Sequence, residues 1–193
     1  MNAIYLDHAA TTPLHPAVLE SMIPFFTEHF GNPSSLHGFG RKAKQALTDA
    51  RDSIASVLGC SSGQLFFTSG GTESDNMAVI GVAQASEAKG KKHFITTAVE
   101  HHAVLQACRS LEQRGFHGTY LPVDGDGRIS VEQLISAIRP DTALVSVMAV
   151  NNEVGTLQPI RQIGELCRDR GIWFHVDAVQ ALGAIPIRIS DLP

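Results

Sequence analysis

The sequence predicts an α/β fold, a three-layer sandwich around a mainly parallel sheet. Three observations carry that prediction. Short apolar runs alternate with helical stripes along most of the chain, the pattern of repeated strand–helix–strand units. One run, ALVSVMAV at 143–150, is apolar on both faces, as a parallel strand covered by helices on each side should be. Hydrophobic residues make up 44% and charged residues 18% of the chain, which is ordinary globular usage and excludes a disordered polypeptide. At 193 residues a chain buries about 70% of its unfolded surface, so a core needs neither disulfides nor metal.

Taken in order, the elements follow from periodicity. Ala43, Leu47, Ala50, Ile54, Val57 and Leu58 recur at helical spacing. A strand is expected at 65–68, then a helix running to about residue 87. Further strands are expected at 93–97, 119–123, 143–150 and 172–176. Between them, Val104, Cys108 and Leu111 form one helical stripe. Val131, Leu134, Ile135 and Ile138 form a second, and Ile160, Ile163 and Cys167 a third. Ser130 is placed to cap the second of these helices, and Pro159 sits where a helix start tolerates proline.

Several function classes are excluded or disfavoured by composition. The formal charge is −4, so no net positive field draws in nucleic acid. No run of 18 apolar residues predicts a membrane span, and the N-terminus lacks the basic-then-apolar pattern of a secretory leader. Cys60, Cys108 and Cys167 are odd in number and form no Cys-x-x-Cys pair, which argues against a disulfide framework or zinc site. A reducing cytoplasm is the expected compartment. Gly38, Gly40 and Ala43 fit G-x-G-x-x-A, but no strand precedes them, so the dinucleotide fingerprint fails its context. VDGDGRIS at 123–130 opens like a calcium loop but has Ile135 where the final acid is required; a turn is expected there.

In parallel α/β sheets ligands sit beyond the carboxyl ends of the strands, and four predicted strand ends carry suitable groups. SGGTES (69–74) offers small residues, two hydroxyls and a helix N-terminus, which suit a phosphate; the alternative is a capping box through Glu73 or Asp75. Glu100, His101 and His102 follow the strand at 93–97. One histidine there could stack on a planar ring or move a proton, or simply satisfy the helix end. NNEVG (151–155) places two amides and a carboxylate at a third end, where ordinary turns are also built. Asp177, with Gln180 three residues on, closes a fourth; such an acid either pairs with a cation at a pocket floor or caps the next helix. A phosphate cradle, a flat histidine, an amide and a buried acid together suit pyridoxal phosphate (PLP), whose ring needs a carboxylate to keep its nitrogen protonated.

At these residues the chain resembles the cysteine desulfurases of the NifS/IscS type, within the class V aminotransferases and fold-type I PLP enzymes. The matching stretches are YLDHAATTP (5–13), GNPSSLHGFGR (31–41), FTSGGTESDN (67–76), VEHHAVL (99–105), VNNEVGTLQPI (150–160) and HVDAVQALG (175–183). The resemblance implies an N-terminal segment at 1–15 and the large PLP-binding domain over 16–193, incomplete at its C-terminus and without the small domain. It implies that Gly71 and Thr72 hold the phosphate, His101 stacks on the ring as a catalytic group, and Asp177 pairs with the ring nitrogen. Gln180 would bond the ring hydroxyl, with Asn152 near that hydroxyl and the substrate carboxylate. It further implies L-cysteine as substrate, a homodimer, and sulfur-acceptor or scaffold proteins serving iron–sulfur cluster assembly.

The family's cofactor-binding lysine and its persulfide-forming cysteine fall in stretches that these 193 residues do not contain. Lys42, Lys44, Lys89, Lys91 and Lys92 lie away from the predicted strand ends, and the three cysteines read as small buried hydrophobes. The chain by itself is therefore expected to show no desulfurase turnover. Two other readings remain: a non-catalytic half or partner module of a split desulfurase, joined by a complementary C-terminal half, or a related selenocysteine lyase or aminotransferase.

Overall fold

The computed structural model describes residues 3–193. They form two compact units: one runs up to Phe66 and takes in Arg188–Ser190, the other holds Phe67–Ile187 with Asp191–Pro193.

The first unit is helical. Helix α1 (Pro16–Thr27) begins with proline at a position that needs no amide donor, and the His15 ring accepts from the Ala17 amide at 3.3 Å. It buries none of its residues. Helix α2 (Gly38–Leu58) carries the predicted 43–58 stripe and ends on Gly59, whose φ of 70° suits a residue without Cβ. Gly38 and Gly40 thus open a helix, with Gly40 packed against the Ser35 carbonyl.

The predicted strand at 65–68 does not form. The segment follows a short 3-10 turn (Ser62–Gln64) as irregular chain and pairs with no described strand. Its side chains show why: Phe66 is 71% and Phe67 48% exposed, so the apolar run lacks a covering layer.

The second unit is the sandwich. Helix α3 (Gly71–Glu87) leads to β1 (His93–Thr97), α4 (His102–Glu112), β2 (His117–Leu121), α5 (Val131–Ala137), β3 (Thr142–Ser146), α6 (Ile160–Asp169) and β4 (Trp173–His175). All pairings are parallel, in the order β2-β1-β3-β4. Two cores lie on opposite sides of the sheet. On one, α3 and α4 pack Val79, Ala83, Val104, Cys108 and Leu111 against Phe94 and Leu144. On the other, α5 and α6 pack Leu134, Ile163 and Cys167 against Ile95, Val145 and Val147.

Strand boundaries moved for identifiable reasons. β2 starts at His117 and stops at Leu121, because Pro122 has no amide to continue a ladder. β3 ends as a strand at Ser146, yet the chain stays bonded to the residues after β4: Val147 N–H donates to His175 O (3.1 Å) and Ala149 N–H to Asp177 O (2.8 Å). Ser130 caps α5 through the Gln133 amide (3.2 Å). The 123–130 stretch is a turn in which Asp124 Oδ1 accepts from the Asp126 and Arg128 amides. Among the described residues no helix is long and apolar enough to cross a membrane.

Candidate active site

The strand order creates a switch point. From β1 the chain passes through α4 to β2 on one side, then returns through α5 to β3 on the other. The two connections leave β1 and β3 in opposite directions, and in such sheets the ligand crevice falls at the carboxyl ends of the two strands that flank the switch. Hydrogen bonds stitch this rim together. Asn151 Nδ2 donates to Val99 O at 3.1 Å, and the Met148 amide donates to Glu100 Oε1 at 3.1 Å. The Ala149–Asp177 backbone bond joins the β4 end to the same rim. On the far side, a Cβ built on Gly71 would lie 2.7 Å from Val179 Cγ2, so the first turn of α3 lies against the turn carrying Asp177 to Gln180.

The proposed phosphate residues open α3. Gly71 is half-buried and Thr72 exposed. Gly70, the N-cap, makes no side-chain cap bond, and the first intrahelical bond runs from the Ser74 amide to Gly70 O. The amides of Gly71, Thr72 and Glu73 stand ahead of it, at the positive end of the helix dipole. The capping alternative is realised one step away: Glu73 Oε2 accepts from both the Ser69 hydroxyl and the Ser69 amide, each at 2.6 Å. Those two bonds hold the Glu73 carboxyl below its ordinary range.

His101 is exposed and is the N-cap of α4, its Nδ1 accepting from the Ala103 amide at 3.2 Å. That bond requires the neutral ring to carry its proton on Nε2. The two amides at 151 and 152 divide their roles. Asn151 is buried and structural, its Oδ1 accepting from the amides of Glu153 and Val154. Asn152 is half-buried, with Nδ2 bonded to Glu153 Oε1 at 2.9 Å. Asp177 is buried, and its Oδ1 accepts from the Val179 amide at 3.0 Å. No helix follows it, so it caps a turn. Gln180 is half-buried in that turn.

Three polar groups at this rim were missed as a connected set in the sequence. Ser146 Oγ and His175 Nδ1 lie 2.8 Å apart across the β3–β4 pair, and His175 Nε2 lies 3.4 Å from Asp75 Oδ1 on α3. All three are mostly buried, so the set ties the first turns of α3 to the strand that presents Asp177 rather than exposing a nucleophile. The second omission is the role of Glu100. Its Oε1 also accepts from Thr97 Oγ1 at 2.7 Å, while its Oε2, buried, has no partner. Burial pushes its carboxyl up to about 7; the bonds from Thr97 and Met148 oppose that, and the charges of Asp177 and Asp75 add to it.

The amines lie elsewhere. Lys92 precedes β1 and pairs with Glu87 at 2.8 Å, and Lys91 Nζ reaches Gly171 O at 3.4 Å. Both occupy the amino end of the sheet. Cys108 and Cys167 are buried, their thiols pushed up to about 12 and about 11 by desolvation; such thiols are inert.

A parallel sheet with a switch-point rim of this make-up belongs to a known class: the chain is a member of the aminotransferase class-V family, whose pattern it matches over residues 4–193. Within that class it is 52% identical over 189 residues to the cysteine desulfurase IscS of Clostridium botulinum, covering 98% of this chain and 47% of that protein. Among solved structures, a NifS-like protein superposes with a TM-score of 0.93 at 44% identity, covering 96% of this chain and 51% of that one. Another, described as SspA in complex with cysteine, gives 0.93 at 43% identity, covering 97% and 54%. The chain spans about half the length of the relatives it matches.

Proposed function

We propose that this chain carries the cofactor-binding part of a PLP-dependent cysteine desulfurase, which takes sulfur from L-cysteine and leaves L-alanine. The observation that supports it is the gathering of the α3 first turn and the ends of β1, β3 and β4 around one crevice. The residues present fit the cofactor. Gly71 lets the first turn of α3 lie against Val179, where a Cβ would clash, the amides there suit a phosphate, and Asp177 is a buried acid held by the Val179 amide through Oδ1. A bound PLP supplies an electron sink for negative charge developing at the substrate α-carbon.

The chain's own residues do the rest. Gly71 and Thr72 hold the phosphate, and Asp177 holds the proton on the ring nitrogen. Gln180 bonds the ring hydroxyl, and Asn152 orients the substrate carboxylate. His101 stacks on the ring and, with Nδ1 engaged by Ala103, gives or takes a proton at Nε2. The family's homodimer, its sulfur-acceptor or scaffold partners and a cytoplasmic setting belong to the same proposal.

Turnover by these 193 residues alone is not part of it, since Lys91 and Lys92 stand at the wrong end of the sheet and both core thiols are inert. That placement also favours the reading of a half that works with a complementary polypeptide. The test is a spectroscopic titration of the chain with PLP, followed by assay of L-alanine from L-cysteine. PLP should bind, Asp177→Asn should weaken binding about tenfold or more, corresponding to ~1.4 kcal/mol, and no alanine should form. A wild-type chain that binds no PLP at all overturns the proposal.

A further inference from the structure

We propose that Glu100 is a positioning residue of this site: a protonated carboxyl that clamps the crevice between β1 and β3 and fixes where His101 stands. The geometry carries it. Glu100 is the last residue before the α4 N-cap, and its Oε1 draws one donor from each side of the crevice, the Thr97 hydroxyl at the end of β1 and the Met148 amide beyond β3. Together with the Asn151 Nδ2–Val99 O bond, it ties the end of β1 to the chain beyond β3 immediately before His101.

The protonation state follows from what surrounds it. Glu100 is 5% exposed, and its Oε2 meets no donor. Acids face it from two sides, Asp75 on α3 and Asp177 after β4, and Cys108 faces it from α4. The His175 ring is turned to Asp75. An ionised carboxylate with one oxygen orphaned among like charges is costly, and a proton on Oε2 removes the charge while leaving the Oε1 clamp intact. The burial-driven rise of its carboxyl to about 7 agrees.

The sign of the pH effect is fixed by that rise. The folded chain holds the proton more tightly than the unfolded chain, so the stabilisation is complete below the ordinary carboxyl value of 4.5 and is lost as pH climbs through about 7. Glu100→Gln keeps an oxygen for Thr97 and Met148 and cannot ionise. The clamp does not depend on the cofactor; only its effect on binding rests on the proposed function.

The experiment compares the full chain with Glu100→Gln and Glu100→Ala by urea denaturation from about pH 5 to about pH 8.5. The ratio of wild-type to Gln folding constants should fall by up to about a hundredfold across that range; other titrating groups such as His93 cancel in the ratio. PLP affinity should stay within about twofold in the Gln variant and drop about tenfold in the Ala variant. A ratio that does not change with pH overturns the proposal. Should the Gln variant not fold, infrared spectra of wild-type chain labelled with carbon-13 glutamate decide the matter: a protonated-carboxyl band at about pH 6 that fades by about pH 8.5 supports it, and no such band overturns it. A wild-type chain that binds no PLP but passes the denaturation test would remove the cofactor reading and keep the clamp.

Discussion

Gly71 has no room for one more carbon. A Cβ there would press on Val179 Cγ2 at 2.7 Å, and valine is stiff at χ1, so the α3 start and the Asp177 turn would have to part. Gly71→Ala should therefore weaken PLP binding about tenfold, and Val179→Ala in the same chain should restore most of it; a double-mutant titration checks the coupling. Apolar runs in the sequence marked the stretches at 69–74, 100–102, 151–155 and 177–180, and the family resemblance then singled out Gly71, Thr72, His101, Asn152, Asp177 and Gln180 within them. Glu100 could not be read in the same way. Its donors include Met148, 48 residues away in sequence, and the acids that surround it come from α3 and from the end of β4. Such an environment exists only after the strands are ordered side by side. The Ser146–His175–Asp75 set was hidden for the same reason, since strand register brings the first two together.

Helices were easier to read than strand ends. The stripes at 104–111, 131–138 and 160–167 each became a helix, because a 3.6-residue repeat needs only local information; the first buries all three positions, the second only Leu134, with Ile135 exposed, and the third Ile163 and Cys167. The strand expected at 65–68 failed because a strand needs a neighbour, and none is present among the described residues. The end of β2 was misplaced by overlooking Pro122, a lost donor visible in the sequence. Helix α1 was not anticipated at all. It exposes Val18, Leu19, Met22, Ile23, Phe25 and Phe26, and twelve residues are marginal for a helix with no buried face. Its amides should exchange with solvent far faster than those of α4, which buries five residues; hydrogen exchange by mass spectrometry reads the contrast. At the other extreme, Phe94→Ala should cost about 3–5 kcal/mol in urea denaturation, since that ring is 1% exposed and lies at the centre of the core between the sheet and helices α3 and α4.

The two cores flank one sheet, with α3 and α4 on one side and α5 and α6 on the other. This sandwich was legible as a whole because apolar runs covered on both faces are a direct signature of it. The order β2-β1-β3-β4 was not, since periodicity says nothing about which strand lies beside which. That order is what places the crevice beside β1. The strand itself then has a further effect. β1 is five residues long, and at roughly 3.3 Å per residue it separates Lys91 and Lys92 from the crevice by roughly 16 Å, well past the reach of a four-carbon stem. An aldehyde seated in the crevice would thus be sheltered from both amines, so borohydride added to the PLP-loaded chain should leave the tryptic peptides bearing those two lysines unlabelled. The strand serves as an insulating spacer as well as a structural member.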